Sequence, residues 1–291
     1  MTPILGAMGI RRTLLIPVLA LAWAASSAAA VLPLGDGHVG TLPARGSVDA
    51  CTLPTLPGGG GAVASVPWIS GSTWNSSSKP HVQGSVAWPS AAYRVAEHGT
   101  TRVISTVDLP VGATTGTFPI ARTDPAFRYD HNPNTIRSMP TTFTVPLDPR
   151  VAAHPSCLPF GPIGVERNGV DLFDALDGEK RDAVAHEVLD SCDGHPDQSG
   201  TYHYHETSPC VLAGAHGSSV LVGYALDGFG IYAERDAHGK LLTNAALDAC
   251  HGRTSTVLWN GRPTRIYHYD VTAEYPYTLG CFRGTLGSIS G

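Results

Sequence analysis

The sequence has no P-loop, no H-E-x-x-H helix motif and no G-x-S-x-G nucleophile elbow, since the terminal "GSISG" puts Ile289 at its centre. Those three absences remove the usual signatures of nucleotide hydrolysis, zinc proteolysis and serine hydrolysis. Charge is also scarce. Only 15% of residues are charged, with a formal net charge of −5 and no basic run. A mildly acidic chain of this kind is a poor nucleic-acid partner. A nucleotide cofactor is not expected either. "GDGHVG" (Gly35 to Gly40) fits G-x-G-x-x-G, but no strand leads into it and no helix follows.

No apolar run is long enough for a secure membrane span. The run Leu14 to Ala24 follows Arg11 and Arg12 and leads into "ASSAAA", ending at Ala30. That order of basic, apolar and small residues is the pattern of a secretory signal over residues 1–30. The reading is of an exported protein (secreted, periplasmic or cell-surface) without a stable span after cleavage. An uncleaved anchor and twin-arginine export stay open. Residues 31–65, with four consecutive glycines, read as a Gly/Pro-rich linker.

Export changes how the six cysteines are read. In an oxidising compartment an even number implies up to three disulfides, in one of 15 pairings.

What is abundant is glycine (33) and proline (23), which favour turns and short elements. "SVAWPSAAYRV", "TRVISTVDLPV" and "TTFTVPL" are short β-branched and aromatic runs bounded by turn residues. The expected domain is mainly β over residues 66–291, an antiparallel sandwich-like or closed arrangement. One short helix is expected over 178–189, capped by Asp177, with Val184, Val188 and Leu189 as its apolar stripe.

An internal repeat organises the second half. "NGVDLF" (168–173), "LDSCDG" (189–194), "TYHYH" (201–205) and Cys210 recur in order as "DGFGIY" (227–232), "LDACHG" (247–252), "IYHYD" (266–270) and Cys281. A duplicated β unit follows, its copies placed side by side about a pseudo-twofold axis. The repeat suggests Cys192–Cys210 and Cys250–Cys281, leaving Cys51–Cys157. The rival is a bridge across units, such as Cys192 with Cys250.

The segments "CDGHPDQSGTYHYH", "GYALDGFGIYA" and "YPYTLGCFRG", with "TGTFPIARTDPAFRYDHNPNTI" (115–136), resemble the YHYH domain family over roughly 66–284. The resemblance implies an exported protein and no particular reaction. The second copy departs from the motif by carrying Asp270 in its last place.

Side chains alternate along a strand, so His203 and His205 share one face, as do His268 and Asp270. If the two strands are neighbours, these four residues converge, with His195 near the mouth. Imidazoles and a carboxylate suit copper or zinc. Four protein ligands would make a closed site for storage or structure, three an open and catalytic one. The alternatives are a metal-free interaction module, in which the Tyr-His strands only pack, and a metal-dependent enzyme using the same histidines. Asp190, Asp193 and Asp197 read as turn residues, because their spacing does not match a calcium loop. His251 reads as a loop histidine. Trp68, Trp74, Trp88, Tyr93, Phe127 and Tyr129 read as core more readily than as a binding groove.

Overall fold

The computed structural model describes residues 31–53 and 65–291. The signal segment and the glycine run fall outside the described residues. Among the described residues no helix is long and apolar enough to cross a membrane.

Eight strands form the largest sheet. In chain order they are β1 (Pro162–Glu166), β2 (Asp171–Phe173), β3 (Gly194–Pro196), β4 (Tyr202–Tyr204), β5 (Ser219–Ala225), β6 (Gly230–Glu234), β7 (Gly252–Trp259) and β8 (Arg262–Asp270). Their order across the sheet is β3-β4-β2-β1-β5-β6-β8-β7. Each half repeats one pattern: an antiparallel hairpin (β1/β2, β5/β6), a parallel step (β2/β4, β6/β8) and an antiparallel partner (β3/β4, β7/β8). The repeat legible in the sequence is therefore one four-stranded unit used twice. The halves meet at β1 and β5, where Val165 lies opposite Tyr224. The pseudo-twofold runs between these two strands, and glycine is required there. A Cβ on Gly164 would sit 2.5 Å from the Tyr224 carbonyl oxygen, and one on Gly223 2.8 Å from that of Val165.

A second sheet orders Ser288–Ser290, Thr141–Pro146, Thr101–Thr106 and Tyr93–His98 side by side. One continuous core joins the layers and includes Ile104, Phe143, Val165, Leu172, Tyr204 and Tyr269. The domain is mainly β, as expected, but its sheets remain open rather than closing into a barrel. Trp68 and Trp74 are buried, and Trp88, Tyr93, Phe127 and Tyr129 pack against that core.

Two expectations need correction. Residues 31–53 are not linker. Val31–Pro33 pairs with Thr73–Asn75, and Val39–Gly40 pairs with Val48–Asp49. Val48 and Ala50 are buried, and Cys51 is tied to Cys157. Strands of two or three residues leave too short an alternation to register in a turn-rich sequence. The helix over 178–189 also shrinks to a single turn, α1 (Ala183–His186). Asp177 caps a turn instead, accepting N–H bonds from Glu179 and Arg181, both 2.8 Å. Lys180 then takes a φ of 65°, which no helix tolerates, and Asp182 becomes the cap. A second one-turn helix, α2 (Pro209–Leu212), follows β4.

The disulfides are Cys51–Cys157, Cys192–Cys210 and Cys250–Cys281, so each unit closes its own loop. The unit closures span 18 and 31 residues, each worth about 3 kcal/mol through the unfolded state.

Glu166, at the end of β1, is 1% exposed and accepts long bonds of 3.3 and 3.4 Å from the Ser208 N–H. Burial raises its carboxyl well above the usual range, and the Thr207 and Ser208 donors offset part of that. The folded pKa lies above the unfolded one. Its contribution to stability is therefore complete below about pH 4.3 and is lost as pH rises through the folded value. Glu166→Gln keeps the shape and removes the titration. The melting temperature of this variant, relative to the parent, is expected to be higher at pH 8 than at pH 4.5. An equal difference at both pH values would refute the account.

Candidate functional site

The antiparallel pairing of β3 and β4 puts His195 directly opposite His203. Residues opposite each other across a strand pair share a face, and His205 lies two residues beyond His203. Three imidazoles are thus delivered to one patch by pairing and alternation alone. The tyrosines between them point the other way. The Tyr202 hydroxyl donates to Asp190, and the Tyr204 hydroxyl accepts from the Asn168 amide at 3.0 Å.

A carboxylate completes the patch. Glu187 follows α1, and its N–H donates to the Ala183 carbonyl. The Val188 N–H donates to Asp130 at 3.0 Å, and the Trp68 indole N–H donates to the Ala185 carbonyl at 2.8 Å. Segments well outside the repeat therefore hold this glutamate in place.

The ligand atoms converge. Nε2 of His203 and Nε2 of His205 are 3.1 Å apart. Oε2 of Glu187 is 2.9 Å from Nε2 of His195 and 3.4 Å from Nε2 of His205. Four donors held tetrahedrally at about 2.1 Å from a common ion would be roughly 3.4 Å from one another. The tautomers agree with such a centre. Nδ1 of His203 faces the Thr201 carbonyl at 3.1 Å, and Nδ1 of His205 faces the Asp174 carbonyl. A carbonyl only accepts, so each Nδ1 carries a proton, and in a neutral ring Nε2 then presents its lone pair. The two Nε2 atoms face each other at 3.1 Å. Nε2 of His195 and Oε2 of Glu187 are both buried, and their 2.9 Å contact lacks the alignment of a hydrogen bond.

Burial holds the His203 imidazole well below its usual range, with His195 and His205 adding to the effect, so it is neutral. Burial opposes ionisation of Glu187 too, but His195 and His205 outweigh it and hold that carboxyl below its ordinary range. For His205 burial lowers the pKa, while Glu187 and the Asp174 carbonyl prevail and raise it.

These groups lie in the wall of an open cleft of about 400 Å³, together with Phe160, Phe173, Leu176 and the loop Asp197 to Ser199. Phe173 stacks on His203 with ring centroids 4.0 Å apart. Asn132 and Asn134 both donate to the Pro196 carbonyl, at 3.0 and 3.2 Å, and fix β3 at the cleft edge.

His268 and Asp270 are elsewhere. Four strands separate β4 from β8, or roughly 24 Å at ~4.8 Å per strand. The four-residue sphere expected from the sequence is therefore two clusters, His195/His203/His205 with Glu187 and His268/Asp270 with Glu234. The parallel steps between β2 and β4 and between β6 and β8 place the Tyr-His strands outside their hairpins and hold them apart. His251 is buried in a structural role. It contacts the Thr278 carbonyl at 2.7 Å and the Asn244 amide oxygen at 2.9 Å. Asp190 and Asp197 serve turns, each accepting two or more backbone N–H bonds.

The family model described as YHYH protein matches residues 142–242. That segment contains all of the first unit and the β5/β6 hairpin of the second, a shorter span than the 66–284 suggested by motif resemblance. No curated protein and no solved structure matches the chain.

Proposed function

From a chain that carries a YHYH domain at residues 142–242, we propose a metal-binding protein whose centre is built by His195, His203 and His205, with Glu187 beside them. One observation carries the reading. Two buried imidazoles aim their Nε2 atoms at each other at 3.1 Å while both Nδ1 atoms are committed to carbonyls. With both rings neutral the two lone pairs would repel, and a metal ion between them would turn that repulsion into ligation. Backbone carbonyls that orient ligating imidazoles are the usual second layer of a metal centre. Three imidazoles and a carboxylate suit zinc or copper. The cleft supports a position open to a small substrate, which favours catalysis over storage. In a hydrolytic centre of this type the ion would supply an activated water. Three disulfides support export.

The test is elemental analysis of protein folded in an oxidising compartment. About one zinc or copper per chain is expected, removable by chelator. The metal-free protein should melt at a lower temperature, since a ligand at 1,000 times its Kd stabilises by about 4 kcal/mol. Protein that contains no metal and takes up neither added Zn²⁺ nor Cu²⁺ would defeat the reading.

A further inference from the structure

The second unit repeats the strand register of the first, with Arg253 in the place of His195 and Asp270 in the place of His205. Gly194 and Gly252 hold the same register position, opposite Tyr204 and Tyr269. The next residues are His195 and Arg253, opposite His203 and His268. Asp190 accepts from the Tyr202 hydroxyl, and Asp248 from that of Tyr267. Asn168 and Asp227 meet the hydroxyls of Tyr204 and Tyr269. Phe173 lies against His203, and Tyr232 lies against His268 with centroids 5.1 Å apart. The equivalence extends to His268, whose Nδ1 faces the Ile266 carbonyl at 3.0 Å, leaving Nε2 free.

That Nε2 points into a cluster. It lies 3.5 Å from Oε2 of Glu234 and 3.5 Å from Oδ2 of Asp270. His268 and Asp270 are fully buried, and Nε2 of His268 and both carboxylate oxygens of Asp270 have no hydrogen-bond partner. One ligand atom from each of Glu234, His268 and Asp270 falls within 4.8 Å of the others. The set is more acidic than the first and needs a cation. The cation present is Arg253, whose Nε donates to Glu234 at 2.8 Å and lies 3.5 Å from Oδ2 of Asp270.

We propose that Glu234, His268 and Asp270 form a second divalent-metal site in which the Arg253 guanidinium stands where the ion would be. The second unit of the natural protein is thereby kept free of metal. The guanidinium gives its directed bonds to Glu234, lies within ion-pair distance of Asp270 and cannot lose its charge. It leaves Nε2 of His268 without a bonded partner, which a metal would not. The side chain of Arg253 is 35% exposed at the edge strand β7, so its removal opens a path from solvent.

The inference rests on the second unit's own geometry and holds whether or not the first centre binds metal. The test therefore uses the full-length protein with His203→Ala and His205→Ala, into which Arg253→His, Arg253→Ala or Arg253→Lys is introduced. Co²⁺ is titrated and followed by its visible absorption, with circular dichroism as the check on folding. About one equivalent of Co²⁺ is expected with Arg253→His, because the imidazole placed there reproduces the arrangement of the first unit. Weaker uptake is expected with Arg253→Ala. Arg253→Lys should take up none, since it keeps the charge. Folded Arg253→His and Arg253→Ala proteins that bind no Co²⁺ would overturn the proposal. So would a metal ion bound with Arg253 in place and lost on Glu234→Gln.

Discussion

His203→Ala is expected to abolish metal binding at the proposed centre, whereas His268→Ala leaves the metal content at its parental value. The two histidines occupy equivalent positions in equivalent strands, so local sequence cannot separate them. Their neighbours do. His203 faces His195, with His205 two residues on, and its Nε2 is aimed at a second imidazole nitrogen 3.1 Å away. His268 faces Arg253, a fixed cation that already engages Glu234. Changing only an outer partner of a metal ligand costs 10–100-fold in affinity. Loss of one of three imidazoles should therefore cost at least ~100-fold, enough to strip the metal on dialysis. Competition with a chromophoric chelator gives the two affinities, and thermal melts confirm folding. A second readout is the effect of chelator on the melting temperature. It should be large in the parent and in His268→Ala, and absent in His203→Ala. If His268→Ala lost the metal and His203→Ala kept it, the centre would have been assigned to the wrong unit.

The duplication was legible because its landmarks are residues with strict geometric duties. Gly194 and Gly252 each leave no room for a Cβ, which would lie 2.3 Å from an atom of the Tyr202 or Tyr267 side chain. Asp190 and Asp248 each bind the tyrosine hydroxyl and the N–H groups of the turn. Such positions resist drift between copies, so they recur as short motifs in order. Cys192–Cys210 and Cys250–Cys281 were legible for the same reason, because they recur with the unit that each closes, and Cys51–Cys157 was the pair left over.

The grouping of the histidines was not legible. Alternation puts His203 and His205 on one face, and it does the same for His268 and Asp270. Which strands are neighbours depends on the order across the sheet. The parallel pairs Asp171 with His203 and Tyr232 with Asp270 move each Tyr-His strand out beyond its hairpin. No motif records that step. The carboxylates were hidden differently. Glu187 comes from the connection after α1, and Glu234 from the end of β6. They stand at unrelated places in the two units, so comparing the copies could not find either. Arg253 could have been found, because it follows "LDACHG" as His195 follows "LDSCDG".

Asp190→Ala is expected to cost more stability than any other single change at these turns, about 4–6 kcal/mol against about 1–3 for Asp248→Ala. Asp190 is fully buried and accepts from four groups. They are the N–H of Gly116 at 2.8 Å, of Cys192 at 2.9 Å and of Gly194 at 3.2 Å, and the Tyr202 hydroxyl at 2.9 Å. Each donor left buried without a partner costs about 1–3 kcal/mol, and the Asp190 side chain itself lies out of reach of solvent. Asp248 holds the same place in the second unit but is only half-buried. It accepts from Cys250 at 2.9 Å, Gly252 at 3.1 Å and the Tyr267 hydroxyl at 3.2 Å, with no counterpart of Gly116. Water can serve some of those donors once the carboxylate is gone. Asp190→Asn, which keeps one oxygen, should fall between the parent and Asp190→Ala. Urea unfolding of the metal-free proteins, with disulfides intact, gives the three values on one scale. Equal losses from Asp190→Ala and Asp248→Ala would show that the bond to Gly116 and the deeper burial contribute nothing. The order matters for function because the Asp190 turn leads directly into β3. A protein that has lost its hold on Gly194 also loses the register that sets His195 opposite His203.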